Sequence, residues 1–315
     1  MHKQLLLAGC FFSSILFPLQ ANAQDFDQLY VFGDSLSDTG NFYNASGGTF
    51  PPSPPYSQGR FSNDRIWTEY LAADLGATPT NFAFGGATTG SNNTIPIPGS
   101  VATLPGLQQE IARFQATNPT SNPDALYVIW AGANDYLGGG ITDPSVPVNN
   151  LSGAITTLAE SGAENFLVVN LPDLGKIPGT NDSPQASSLS TLTNLHNLGL
   201  DTSLNALSSN YDINIYDLDV SSLFADAIAQ PAKYGFTNVT DACLSDTGIC
   251  SNPDEYLFWD ELHPTNAGHK IIGEVAVSRL QAEPVPEPGA GLGILAFGGV
   301  GAMALLKRRY QKTVK

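Results

Sequence analysis

The chain has 315 residues, enough for one large domain or two small ones, and an apolar fraction of 42% that is ordinary for a globular protein. It carries 13 Lys and Arg against 29 Asp and Glu, a formal net charge of -16. Such a surface repels nucleic acid and anionic membranes, which argues against either as a partner, and suits solubility in an extracellular or saline setting. In chain order, the first segment reads as a leader. Lys3 precedes an apolar run over residues 5–19 that ends in Ala21-Asn22-Ala23, so cleavage is expected before Gln24 and residues 1–23 are expected to be removed by signal peptidase. Short runs rich in Val, Ile, Phe and Tyr at 29–32, 81–84, 125–130, 166–170 and 213–218 predict strands. Helical patterning falls between them, at 64–75, 107–116, 151–161, 189–207 and 221–229, and again at 265–280. Alternating apolar strands and helices predict an α/β fold: a three-layer α/β/α sandwich around a central, mostly parallel sheet. No repeat and no long linker interrupts residues 24–283, so one domain is the simplest organisation.

Reactive side chains collect where these strands end. The first strand runs into Gly33-Asp34-Ser35, which delivers one hydroxyl to the edge of a sheet. Ser35 is either a nucleophile or a helix N-cap, since Asp38 follows three residues later as in a capping box. A nucleophilic serine needs a base, a partner that orients the base, and donors for an oxyanion. The chain has four histidines. His2 lies in the leader, His196 in a polar stretch that reads as a helix surface, and His269 inside the last amphipathic run. His263 stands apart: Pro264 keeps it out of a helix, Thr265 can cap the helix that follows, and Asp260 precedes it by three residues. That spacing can bring a carboxylate beside the imidazole, or leave a histidine in an ordinary loop. The paired glycines Gly85-Gly86 end the second apolar run, and Asn134 follows the third. Either can supply an N–H to a ligand, or belong to a plain turn. No His-x-x-x-His, Cys-x-x-Cys or Ca²⁺-loop spacing exists, so the pattern calls for no metal.

Together these blocks resemble the GDSL esterase/lipase family, the SGNH hydrolases. The matching segments are Gly33-Asp34-Ser35-Leu36, Asn81-Phe82-Ala83-Phe84-Gly85-Gly86-Ala87, Gly132-Ala133-Asn134-Asp135 and Asp260-Glu261-Leu262-His263-Pro264. Gly59-Arg60-Phe61-Ser62-Asn63-Asp64-Arg65-Ile66-Trp67 and Asn170-Leu171-Pro172-Asp173-Leu174-Gly175 are similar to its lipase-like branch. The resemblance implies a flavodoxin-like SGNH-hydrolase fold and a serine hydrolase that cleaves carboxylic esters, of lipid or another acyl compound, without a cofactor. Ser35 would be the nucleophile, His263 the base and Asp260 its orienting partner. The Ser35 N–H, the Gly86 N–H and the Asn134 side chain would form the oxyanion hole, with Gly85 as the runner-up for Gly86. A carbohydrate O-deacetylase acting on exopolysaccharide, acyl transfer to an alcohol, and a non-catalytic surface or matrix protein on the same scaffold are the rival readings. The stiff aromatic segment 50–56 is expected to line the acyl or leaving-group pocket, and residues 90–106 to form a surface loop or a lid.

Cys243 and Cys250 form an even pair outside the leader, which in an exported protein reads as a small disulfide loop just before Asp260. At the other end, Val285-Pro286-Glu287-Pro288 is followed by an uncharged apolar stretch at 289–306 and then Lys307-Arg308-Arg309. Its length suffices to span a bilayer, with the basic cluster on the cytoplasmic side. The order over 284–315 resembles the PEP-CTERM sorting signal of Gram-negative-type bacteria. That implies processing by an exosortase, a membrane association only through this segment, and a destination at the cell surface or outside.

Overall fold

The computed structural model describes residues 26–97 and 103–282. The leader at 1–23, the sorting segment at 284–315 and part of the 90–106 loop lie outside the described residues. Five strands build the central sheet: β1 (Gln28–Gly33), β2 (Thr78–Asn81), β3 (Leu126–Trp130), β4 (Asn165–Val169) and β5 (Asn214–Leu218). They pair in the order β2-β1-β3-β4-β5, all parallel, the doubly wound order in which the chain reverses direction of travel beside β1. The helices are α1 (Asn41–Ala45), α2 (Trp67–Leu75), α3 (Leu107–Thr117), α4 (Ala133–Leu137), α5 (Ser145–Glu160), α6 (Ala186–Asn210), α7 (Val220–Ala229) and α8 (Asn266–Gln281).

The central strands read as continuous apolar runs because both of their faces are covered. Alternate residues separate into two cores. Leu29, Val31, Leu126, Val128, Trp130, Leu167 and Val169 pack with residues of α2, α7 and α8. Phe32, Tyr127, Ile129, Phe166 and Val168 pack with residues of α3, α5 and α6 on the opposite face. The expected three-layer α/β/α architecture is therefore present.

Some boundaries differ from the sequence reading, each for a physical reason. The second strand is the polar Thr78-Pro79-Thr80-Asn81 rather than the apolar 81–84. It is an edge strand, where a proline is tolerated and solvent replaces an apolar face. The apolar residues continue past it alongside β1, with the Phe82 and Phe84 N–H groups donating to Val31 and Gly33 carbonyls. Helix α5 begins six residues before the expected 151, and Pro147 fits its first turn, where the missing N–H costs nothing. His196 is fully buried, not on a helix surface. The 25-residue α6 turns Leu189, Thr193, His196, Leu200, Leu204 and Leu207 inward at helical spacing, so His196 shares their face.

Beyond the main sheet, β6 (Asn238–Ala242) pairs with β9 (Tyr256–Phe258), and β7 (Leu244–Ser245) with β8 (Gly248–Ile249). This small structure leads directly into Trp259-Asp260.

Candidate active site

Strand β1 ends in a turn that only glycine can start. Gly33 has φ of +142°, and a Cβ there would come 2.0 Å from the Trp130 carbonyl oxygen of the neighbouring strand. Glu110 of α3 reaches under this end and accepts from the Gly33 N–H at 2.8 Å. The next carboxyl shapes the turn itself. Asp34 is buried, its Oδ1 accepts from the Leu36 N–H at 3.0 Å, and burial pushes its pKa up to about 7.

Ser35 follows with its side chain unused for capping. The capping is done by Asp38, whose carboxylate accepts from the N–H groups of Gly40, Asn41 and Phe42 at the start of α1. It also takes the N–H of Gly85 at 2.8 Å, so it ties the Ser35 turn to the paired glycines. Burial raises the Asp38 pKa to about 6, against the pull of those four N–H groups. The Ser35 Oγ instead meets His263 Nε2 at 2.7 Å.

His263 is held from three directions. Its own turn closes with the Trp259 N–H on the His263 carbonyl at 2.7 Å. Thr265 Oγ1 accepts from the Gly268 N–H and so caps α8, as expected. The Gly59–Trp67 block braces the other side, with Ser62 Oγ donating to the Pro264 carbonyl and the Phe61 ring 5.2 Å from the imidazole. Asp260 Oδ1 accepts from the Leu262 and His263 N–H groups at 2.8 Å each, and its Oδ2 lies 2.8 Å from His263 Nδ1. The imidazole can thus donate Nδ1–H to Asp260 and accept the Ser35 O–H at Nε2.

Electrostatics follow from this arrangement. Burial works to lower the His263 pKa, but the Asp260 charge and hydrogen bond outweigh it, with Asp34 adding to them, and hold it above the ordinary 6.5. Burial likewise works to raise the Asp260 pKa. The facing imidazole and the two backbone N–H groups prevail and hold it below the usual carboxylate range.

The expected oxyanion donors lie around the same turn. The Gly85 N–H is occupied by Asp38. Gly86 has φ of +77°, and no acceptor for its N–H is found among the described residues. Asn134, at the start of α4, donates one amide hydrogen to the Ala87 carbonyl at 3.1 Å and lies 3.4 Å from Asp34 Oδ2. A slot beside Ser35 is walled by Leu36, Trp130, Leu137, Leu174, Ile177 and Phe224. None of residues 50–56 lines this slot. Tyr56 borders a separate cleft with Asp260, Glu261 and Leu262 and bonds to Asp260, a contact that no sequence pattern announces.

Cys243 and Cys250 are joined by a disulfide. The bridge closes the β7–β8 hairpin, and the hairpin's first residues donate to β9 and the His263 turn: Cys243 N–H to the Phe258 carbonyl and Leu244 N–H to the Trp259 carbonyl. Among the described residues no helix is long and apolar enough to cross a membrane.

Comparison with known proteins gives the family of the chain. The family model for GDSL-like Lipase/Acylhydrolase matches residues 29–276. A phosphatidylcholine-sterol acyltransferase of Aeromonas hydrophila is 28% identical over 82% of this chain and 91% of its own length. The thermolabile hemolysin of Vibrio parahaemolyticus is 29% identical over 79% of this chain, which spans 62% of that protein. Among solved structures, a member of the lipolytic protein G-D-S-L family from Veillonella parvula superposes with a TM-score of 0.47 at 18% identity, over 80% of this chain and 96% of that one. The match across nearly the whole described fold places the chain in the GDSL-like lipase/acylhydrolase family, as an ester-bond hydrolase.

Proposed function

We propose that the chain is an exported serine esterase that cleaves esters of aliphatic carboxylic acids through an acyl-serine. The observation that carries this reading is the unbroken hydrogen-bonded line from Ser35 Oγ through His263 Nε2 and Nδ1 to Asp260. Ser35 is the nucleophile. His263 takes the Ser35 proton at Nε2 as Oγ attacks the ester carbonyl carbon, and Asp260 stabilises the imidazolium that forms. The tetrahedral oxyanion is met by the Ser35 and Gly86 N–H groups and the Asn134 amide. Commitment of the Gly85 N–H to Asp38 supports Gly86 over Gly85 as the donor. Collapse expels the alcohol, which takes the proton from Nε2. Water then gives a proton to the same nitrogen, attacks the acyl carbon and releases the acid, and Ser35 regains its hydrogen.

The walls of the slot support an aliphatic acyl group. Apolar side chains make up most of its lining next to Ser35, and each buried methylene of the substrate gains about 0.8 kcal/mol. Activity is therefore expected to rise from acetate to longer acyl esters, where an O-deacetylase would prefer acetate. A p-nitrophenyl ester series from acetate to palmitate, with Ser35→Ala alongside, tests both points. Activity that persists in Ser35→Ala, or that peaks at acetate, would overturn the reading.

A second reading, acyl transfer to an alcohol, is favoured by one observation: the Aeromonas relative is named an acyltransferase and is covered over 91% of its length. The same acyl-serine serves both outcomes, and an added alcohol acceptor separates them. The disulfide supports export, together with the expected leader and the tail at 284–315, which would be processed by signal peptidase and an exosortase.

A further inference from the structure

The proline-rich segment that follows the nucleophile turn ends in Tyr56, and the Tyr56 hydroxyl donates to Asp260 Oδ2 at 2.7 Å. That oxygen is also 2.8 Å from His263 Nδ1. Asp260 Oδ1 accepts from the Leu262 and His263 N–H groups and lies 2.9 Å from His263 Nδ1 as well. The phenol's acceptor, Oδ2, is therefore one of the two carboxylate oxygens that face the imidazole, and the nearer of them. The tyrosine is fixed in place: its ring meets Trp259 and Phe61 edge-on, each at 6.4 Å, and its N–H donates to the Pro52 carbonyl. Tyr56 and Asp260 border the same cleft. Burial, then Asp260 and Glu261, hold the Tyr56 pKa far above its ordinary value, so the group is a donor at any working pH.

We infer that Tyr56 is a positioning residue of the hydrolytic site: its hydroxyl fixes the Asp260 carboxylate and, by sharing Oδ2 with the imidazole, sets how strongly the His263 imidazolium is held. The inference rests on the Ser35–His263–Asp260 reading. A packing role alone would need the ring; the hydroxyl aimed at the shared oxygen is what packing does not require. Removing that hydroxyl leaves the Asp260 charge directed at His263, so the imidazole keeps its proton to higher pH. The other groups that face His263 are Ser35 and Asp34 from the end of β1, and His269 from α8, while Glu261 faces Tyr56. None of them is altered by a change at Tyr56.

The test is the pH profile of kcat/KM for the full chain, its Tyr56→Phe variant, and a variant with 3-fluorotyrosine at position 56. Tyr56→Phe is expected to move the acid limb upward by roughly half a pH unit. It should also lower kcat about three- to ten-fold with little change in KM, since water from the cleft replaces part of the lost bond. The fluorinated phenol is a stronger donor with the same ring, so it should move the acid limb the other way. This arm decides alone if Tyr56→Phe fails to fold. Profiles of folded variants that superpose on the parent would overturn the inference. Ser35→Ala distinguishes the two levels. Activity surviving in it removes the underlying reading, and inactivity in it with unshifted Tyr56 profiles removes the role of Tyr56 alone.

Discussion

The two halves of the site are built by opposite means. The Ser35 turn hangs on an inner strand of the sheet: β1 is flanked by β2 and β3, its final residues Val31, Phe32 and Gly33 are buried, and its end is locked by Gly33 against Trp130. The base turn has no such support. Asp260 and His263 follow β9, a strand of a two-stranded sheet outside the main one, and are held by a cap, a disulfide-closed hairpin and the Gly59–Trp67 block. Ser35 follows a strand held inside the main sheet, and the His263 turn depends more on single hydrogen bonds from peripheral elements. Damage to the first half should therefore appear in the chemistry and the fold together, and damage to the periphery of the second in graded losses of rate.

The largest expected effect tests whether the halves act as one unit. Ser35→Ala and His263→Ala should each lower kcat by about 10⁴-fold or more, and the double variant should be no worse than either single one. Additive losses would mean that the two residues do not share a step. Next, Asn134→Ala should cost about 10²- to 10³-fold in kcat through the lost oxyanion donor, with KM little changed. A change confined to KM would assign Asn134 to substrate binding instead.

Loss of the bridge in Cys243→Ser with Cys250→Ser should lower stability by roughly 2–3 kcal/mol in thermal or denaturant unfolding. Rate should fall only a few-fold, because the hairpin acts on His263 through the Phe258 and Trp259 carbonyls. Equal losses in the Ser35 and the cysteine variants would erase the contrast between centre and periphery.

The smallest effect is in pH. If His263 is the base, as proposed, hydrolysis needs its neutral form, so the acid limb of kcat/KM should lie above 6.5, and activity should rise as pH passes the raised value. Stability runs the other way for this group. Its raised pKa contributes stability that is full below the unfolded pKa and is lost as pH rises through the folded one. The depressed Asp260 contributes stability above its unfolded 3.8 that is lost as pH falls through its folded value. An acid limb below 6.5 in the parent, or a pH range in which deprotonation of His263 adds stability, would contradict the geometry of the pair.

The same contrast decides what the sequence discloses. β1 and Ser35 are legible because a doubly covered strand must be apolar throughout and must then break into Gly-Asp-Ser. The His263 turn is legible because Pro264 and Thr265 fix where a helix cannot and can start. Edge and long-range features are not. β2 escapes detection because an edge strand needs no apolar run, and His196 is misread because Asn194 and Asn197 beside it mask the inward face of α6. Asp38 reaches Gly85 across 47 residues and Tyr56 reaches Asp260 across 204, and no local pattern encodes either contact. Residues 1–25 and 283–315 carry expectations from the sequence alone.

The most direct test of the account is labelling of the full chain with a fluorophosphonate, followed by mass-spectrometric mapping of the adduct. The account predicts one stoichiometric adduct on Ser35, absent in Ser35→Ala and greatly slowed in His263→Ala. An adduct on another residue, or labelling undiminished in Ser35→Ala, would contradict it.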